Sequence, residues 1–255
     1  MARFSKGTHG FARQKAPQED EQAQVPEAPA RQPAQAQVGR GLAIDSQRHL
    51  FDIPNGITYL NCAYMSPQLR SVTEAGLQAV RAKSEPWEVI PEDFFTASEH
   101  LRGLFASVVG GDRDGVALIP AVSYGMGVAT ANVKLSVGDR IVVLAEQFPS
   151  NVYPWQAAAE TSGAEMVTVG RPDDLDWTAA ILDAIDERTA VVATPNVHWT
   201  DGSLVDVAAV GAAARQVDAT FVIDATQSLG ALPLDVSVVR PDYIVAGGYK
   251  TLLGP

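Results

Sequence analysis

Lys250 is the single cation in the stretch DYIVAGGYKTLLGP (242–255), set among apolar residues after two glycines. Lysine is seldom fully buried without a partner or a task, and an amine held there can bond to a carbonyl or carry a proton. Asp224 ends an apolar run within FVIDATQSLGALPLD (221–235), with Gln227 three residues on. A buried carboxylate is costly unless it meets a cation or caps a turn. Ser123 follows VALI (116–119) in PAVSYGMGVATANV, at the start of an alanine-rich helix-like segment. It reads either as an N-cap or as part of a phosphate seat made with free backbone N–H groups. Phe148 follows RIVVLA (140–145) and precedes Pro149, where it either packs into the core or lies flat against a planar ligand. PNVHWTDG (195–202) adds Asn196, His198 and Trp199 on a loop; a lone histidine is more often structural than catalytic.

Two nucleotide chemistries fail on spacing. A phosphate-binding loop of the GxxxxGK[ST] type needs glycine directly before the lysine, and that position is Tyr249. No GxGxxG opens a helix after the first strand-like run. Pyridoxal 5'-phosphate fits the whole set. Its phosphate needs a helix start, its ring a stacking aromatic, its pyridine nitrogen a carboxylate, and its aldehyde a lysine for a Schiff base. Ser123, Phe148, Asp224 and Lys250 match these needs in turn.

These residues must be positioned by the elements around them. Short apolar runs recur along the chain: VALI, RIVVLA, EMVTV (165–169), AVVAT (190–194), FVIDA and DYIVA (242–246). Helix-like segments separate most of them, among them DLDWTAAILDAIDERT (174–189) and LVDVAAVGAAARQVDA (204–219). Continuous apolar strands alternating with helices predict an α/β fold with a mainly parallel sheet and helices on both faces. Sites in such folds gather at the carboxyl ends of the strands, where the candidate residues lie. FFTASEHLRGLFASVVGG (94–111) predicts a helix with Phe94, Leu101, Leu104, Phe105 and Val108 on one side, stopped by two glycines.

The run FVIDATQSLGALPLDVSVVRPDYIVAGGYKTLLGP resembles the signature of class V aminotransferases, the group that includes cysteine desulfurases, kynureninases and isopenicillin N epimerase-like proteins. YLNCAYMSP (59–67) is similar to that family's N-terminal segment and FPSNVYPW (148–155) to its ring-stacking loop. The resemblance implies a fold type I pyridoxal-phosphate enzyme acting on an amino acid through a lysine Schiff base, as an aminotransferase, a cysteine desulfurase or lyase, or an epimerase. It implies that Lys250 bonds to the cofactor, Asp224 pairs with the ring nitrogen, Gln227 reaches the ring oxygen, Phe148 stacks on the ring and Ser123 holds the phosphate. Many desulfurases carry serine three residues before the lysine and histidine just before it, where this chain has Gly247 and Tyr249. The Tyr249 hydroxyl is therefore expected at the phosphate, a pattern more similar to kynureninase. Desulfurases also carry asparagine where this chain has Trp199. Family members form homodimers and continue past the lysine, so the resemblance implies a large domain incomplete at its C-terminus, with the small C-terminal domain absent. The alternative is a non-catalytic fragment that binds a partner or the cofactor without turnover.

Bulk properties agree with this. Of 255 residues, 46% are hydrophobic and 19% charged, enough for a substantial core. A net charge of −11 argues against nucleic acid and anionic membrane surfaces as partners. One cysteine, Cys62, excludes an internal disulfide or an all-cysteine metal site and fits a reducing, cytoplasmic setting. It is expected to be packed rather than catalytic. No apolar stretch approaches the roughly 20 residues of a membrane span, and no metal is expected. APQEDEQAQVPEAPARQPAQAQ (16–37) has almost nothing to pack, so residues 1–40 are expected to form a disordered tail. Residues 41–69 then form an N-terminal segment and 70–255 the cofactor-binding large domain.

Overall fold

The structure is a computed structural model, and it describes residues 44–255. The expected tail, 1–40, lies outside the described residues. The compact unit Ser46–Pro255 is built on five parallel strands in the order β2-β1-β3-β4-β5. They are β1 (Arg140–Leu144), β2 (Glu165–Val169), β3 (Thr189–Pro195), β4 (Thr220–Asp224) and β5 (Tyr243–Val245). The helices are α1 (Arg70–Ala82), α2 (Asp93–Val109), α3 (Val122–Asn132), α4 (Tyr153–Ser162), α5 (Trp177–Ala184), α6 (Val207–Gln216) and α7 (Val236–Val239).

The strands are apolar throughout because both faces of the sheet are covered. Alternate residues serve opposite layers. Ile141, Val143, Val191, Ala193, Val222 and Val245 meet Met126 and Ala129 of α3 and Trp155 and Ala159 of α4. Val142, Leu144, Val192, Phe221 and Ile223 meet Trp177 and Ile181 of α5, Val210 and Ala214 of α6 and Val239 of α7. Aspartates start the helices of the second layer. The Asp176 carboxylate accepts the Ala179 N–H, Asp206 accepts those of Ala208 and Ala209, and Asp235 accepts that of Ser237. These caps satisfy N–H groups with no partner inside the helix. Capping also makes α5 and α6 shorter than the apolar pattern suggested, since residues before each aspartate lie in the connecting loop.

One expectation fails. VALI forms no strand: Val116 to Ile119 join no ladder among the described residues, and the sheet begins at Arg140. An apolar run becomes a strand only where a neighbour offers its N–H and C=O groups. β5 pairs on one side only, with β4. Ile119 still reaches the sheet as a side chain, packing against the α3–α4 layer. The apolar side of α2 meets the core only in part. Its last turn is the anchor, through Ala106 and Val109, and Phe105 is half-buried against the core. Phe94, Leu101, Leu104 and Val108 are exposed, Phe94 at 74%. The helix does stop at glycine as expected: Gly110 takes a left-handed conformation, φ 66°, and closes on Ala106 O. No helix among the described residues is long and apolar enough to cross a membrane.

Candidate active site

The strand order reverses beside β1, whose neighbours β2 and β3 run out to either side. Loops leaving adjacent parallel strands diverge there and open a crevice at the carboxyl ends. A cavity of about 390 Å³ lies at these ends, lined by residues that follow β1, β3, β4 and β5 and by the start of α3. All six residues singled out in the sequence, Ser123, Phe148, Asp224, Gln227, Tyr249 and Lys250, line it.

Asp224 is the last residue of β4, level with Pro195 of β3 and Val245 of β5, so strand pairing fixes where its carboxylate emerges. It is 7% exposed, as is Lys250. Burial pushes the Asp224 carboxyl up, opposed by hydrogen bonds from the Thr226 side chain and N–H and by the Lys250 charge. Burial pushes the Lys250 amine down, opposed by the Asp224 charge. No ion pair joins the two among the described residues. The ammonium instead lies 5.8 Å from the Phe148 ring centre and 5.5 Å from that of Tyr249. Gln227 Oε1 is buried with no hydrogen-bond partner among the described residues.

Ser123 is not the cap of α3. The cap position is Ala121, no side chain caps the helix, and Ser123 lies in the first turn. There its hydroxyl and the first backbone N–H groups share one helix end, which favours an anion. Phe148 leaves β1 through a strained turn, because Glu146 holds a left-handed φ of 55°. Arg171 grips that turn from outside. Its guanidinium pairs with Glu146 and Asp201, bonds the Thr200 hydroxyl at 2.6 Å and lies over the Trp177 ring. Trp199 closes the same turn: its indole N–H donates to Glu146 O at 2.6 Å, and its ring meets Phe148 edge-on at 5.6 Å.

The other polar loop residues are structural. His198 is fully buried, stacked on Trp177 and bonded through Nε2 to Ala145 O. The Asn196 amide donates to Val205 O. Cys62 is partly buried and does not line the cavity. Two cavity residues escaped the sequence reading. Thr226 lies inside the run that drew attention to Asp224, and its hydroxyl accepts the Gly247 N–H at 3.1 Å. Gln147, beside Phe148, donates to Ala193 O. Their proximity to Asp224 and Phe148 was the available signal.

The sequence matches the aminotransferase class-V family over residues 90–255. It is 29% identical over 171 residues to the uncharacterized aminotransferase YcbU of Bacillus subtilis (strain 168), covering 62% of this chain and 42% of that protein. A cysteine desulfurase of Enterobacter sp. (strain 638) is 33% identical over 150 residues, covering 58% and 34%. The isopenicillin N epimerase of Streptomyces clavuligerus is 26% identical over 205 residues, covering 78% and 51%. The chain thus spans about a third to a half of the length of these relatives. A solved structure of a C-DES lysine mutant, with glycine covalently linked to its PLP cofactor, superposes with a TM-score of 0.73 at 21% identity, covering 82% of this chain and 57% of that one. The apo cysteine desulfurase of Thermococcus onnurineus NA1 superposes with a TM-score of 0.69 at 21% identity, covering 82% and 54%. The two superpositions establish the fold, a PLP-dependent transferase-like α/β domain. With its family match running over residues 90–255, the chain belongs to the class-V aminotransferases.

Proposed function

We propose that this chain is the cofactor-binding part of a pyridoxal 5'-phosphate-dependent enzyme acting on an amino acid, with Lys250 as the residue that bonds to the cofactor. One observation carries the reading: a buried amine and a buried carboxylate line the same cavity without pairing. Two such charges ordinarily pair, because each is costly to bury alone; leaving them apart suits a ligand that contacts both.

The residues present fit that cofactor. Ser123 and the first turn of α3 suit its phosphate, with the Tyr249 hydroxyl as a further donor. Phe148 offers a ring face, Asp224 a carboxylate for the pyridine nitrogen, and Gln227 an amide whose oxygen is buried without a partner. When bound, the cofactor supplies a protonated ring that takes up electrons from the amino acid's α-carbon. Asp224 holds the proton on the ring nitrogen. Lys250 Nζ, with its basicity lowered by burial, is suited to taking and returning the α-proton. Transamination, β-elimination, sulfur transfer and epimerisation share that proton removal, and the proposal covers all four.

The test is reconstitution of the purified chain with pyridoxal phosphate, borohydride reduction and peptide mapping. The adduct is expected on Lys250 and absent from Lys250→Ala. An adduct on Lys83 or Lys134, or none in protein that absorbs in the visible, overturns the assignment.

A further inference from the structure

The turn that carries Lys250 is fastened from three directions. It closes on itself, with the Leu253 N–H donating to Lys250 O at 3.0 Å and the Gly254 N–H to Gly248 O at 2.7 Å. The loop after β4 holds it from a second side, where the Thr251 hydroxyl donates to Leu229 O at 2.6 Å. The third attachment comes from far earlier in the chain. The Ser66 N–H donates to Tyr249 O at 3.2 Å, and the Ser66 hydroxyl donates to Lys250 O. Tyr249 O lies 3.4 Å from the same hydroxyl as a second acceptor. One residue thereby holds two successive carbonyls on either side of the bond that launches the lysine side chain.

The segment around Ser66 is itself drawn closed. The Tyr59 hydroxyl donates to Met65 O at 2.7 Å, and the Tyr64 and Met65 N–H groups both reach Asn61 O. These bonds bring the chain into a short arch whose end is Ser66. Few other ties hold the arch: most of residues 59–65 are exposed, Leu60 at 88%. Ser66 bonds only to main chain at the lysine turn. It therefore sets where the side chain departs and leaves the amine itself untouched.

We infer that residues 59–67 form a strap, and that Ser66 is a positioning residue that holds the Lys250 backbone so that the amine enters the cavity. The inference rests on Lys250 being the reactive residue, but it concerns this chain's own hydrogen bonds and is read without the cofactor. If the strap is released, the turn keeps its own bonds and its tie to Leu229 but gains freedom at Tyr249 and Lys250. The amine then spends time in water, where burial no longer disfavours its charged form.

The experiment measures acetylation of each lysine against pH in the full chain by mass spectrometry, without pyridoxal phosphate. Lys83 and Lys134 serve as references. In the unsubstituted protein the Lys250 profile is expected to have its midpoint below those of the references. In Ser66→Ala the Lys250 midpoint is expected to move up toward theirs, while theirs stay in place. Ser66→Thr keeps the hydroxyl and is expected to restore the original profile. Tyr59→Phe opens the arch without touching the lysine turn and is expected to shift Lys250 the same way by less, so it replaces Ser66→Ala should that variant not fold. An unshifted Lys250 profile in Ser66→Ala, or in Tyr59→Phe where that stands in, overturns the strap. Borohydride trapping on the same proteins separates the two readings. An adduct on another lysine removes the cofactor assignment, whereas an adduct on Lys250 with unshifted profiles removes only the strap.

Discussion

Asp224 and Lys250 each oppose the effect of burial on the other. Desolvation lowers the amine's pKa, and the carboxylate's negative field works against that lowering. Removing that field in Asp224→Asn is expected to lower the Lys250 acetylation midpoint further. This is opposite in sign to the effect of freeing the turn, and the same pH series measures it. In the proposed enzyme Asp224→Ala is expected to cut turnover by orders of magnitude while weakening cofactor binding far less, because the phosphate seat proposed at Ser123 is untouched. Turnover within a few-fold of the unsubstituted enzyme, with cofactor bound, would remove the role given to Asp224.

Among the elements, α3 packs hard against the sheet. Gly125, two residues after Ser123, presses against the sheet so closely that a Cβ there would lie 2.5 Å from Ile119 Cδ1 and 2.9 Å from Val245 Cγ1. Gly125→Ala is expected to destabilise the fold by roughly 1–3 kcal/mol, the usual range for overpacking a filled core. It should also shift the start of α3, so phosphate affinity falls with stability; urea unfolding and a phosphate titration measure the two. On the opposite layer α6 depends on its cap. Asp206→Ala removes the acceptor of two N–H groups and is expected to cost about 0.5–2 kcal/mol without altering the cavity, which α6 does not line.

For the molecule as a whole, acid is expected to act through the carboxylates that hold its loops. At Asp201 burial raises the carboxyl's pKa, but hydrogen bonds from the Ser203 N–H and hydroxyl and from Arg171 outweigh it and bring the value to about 2. The hydrogen bond from Arg171, above all, lowers Glu146. At Asp186 burial is again overcome, by the Arg188 N–H and the Arg140 side chain. A carboxyl lowered by folding binds its proton more weakly in the folded state than in the unfolded one. Its stabilising contribution is complete above its unfolded pKa, 4.5 for Glu146 and 3.8 for the aspartates, and is lost as pH falls toward about 2. Thermal melting is expected to drop below about pH 4.5 as these carboxylates take up protons. Arg171→Met should flatten that drop, because it removes the cation shared by Glu146 and Asp201. The exposed side of α2 sets a second whole-molecule behaviour. Phe94, Phe95, Leu101 and Leu104 leave an exposed apolar surface of the kind found where proteins associate, and it fits the homodimer that the family resemblance implies. The chain by itself is expected to bind a hydrophobic dye and self-associate. Phe94→Glu with Phe95→Ser should reduce both without lowering the melting temperature, because neither ring is buried; unchanged dye binding would place the association surface elsewhere.

Much of the site was legible because covalent spacing ties residue type to strand end. Asp224 ends β4, Phe148 follows RIVVLA and Lys250 follows DYIVA, so a parallel sheet brings them to one edge whatever the details of its packing. The apolar strand runs and the glycine stop after Val109 are likewise local, and each was readable from a few neighbouring residues. Three features depended on partners distant in sequence. VALI had a strand's composition but no strand beside it. The apolar side of α2 had helical spacing, yet only its last turn meets the core. Ser66 carried no chemical signal of its own, and became a candidate for positioning Lys250 only when the fold laid it against carbonyls more than 180 residues away. Local pattern determines what an element is able to be, because propensity and hydrophobic period act within a turn or two. Which face is covered and which backbone groups are paired is decided by elements that only the tertiary fold brings together.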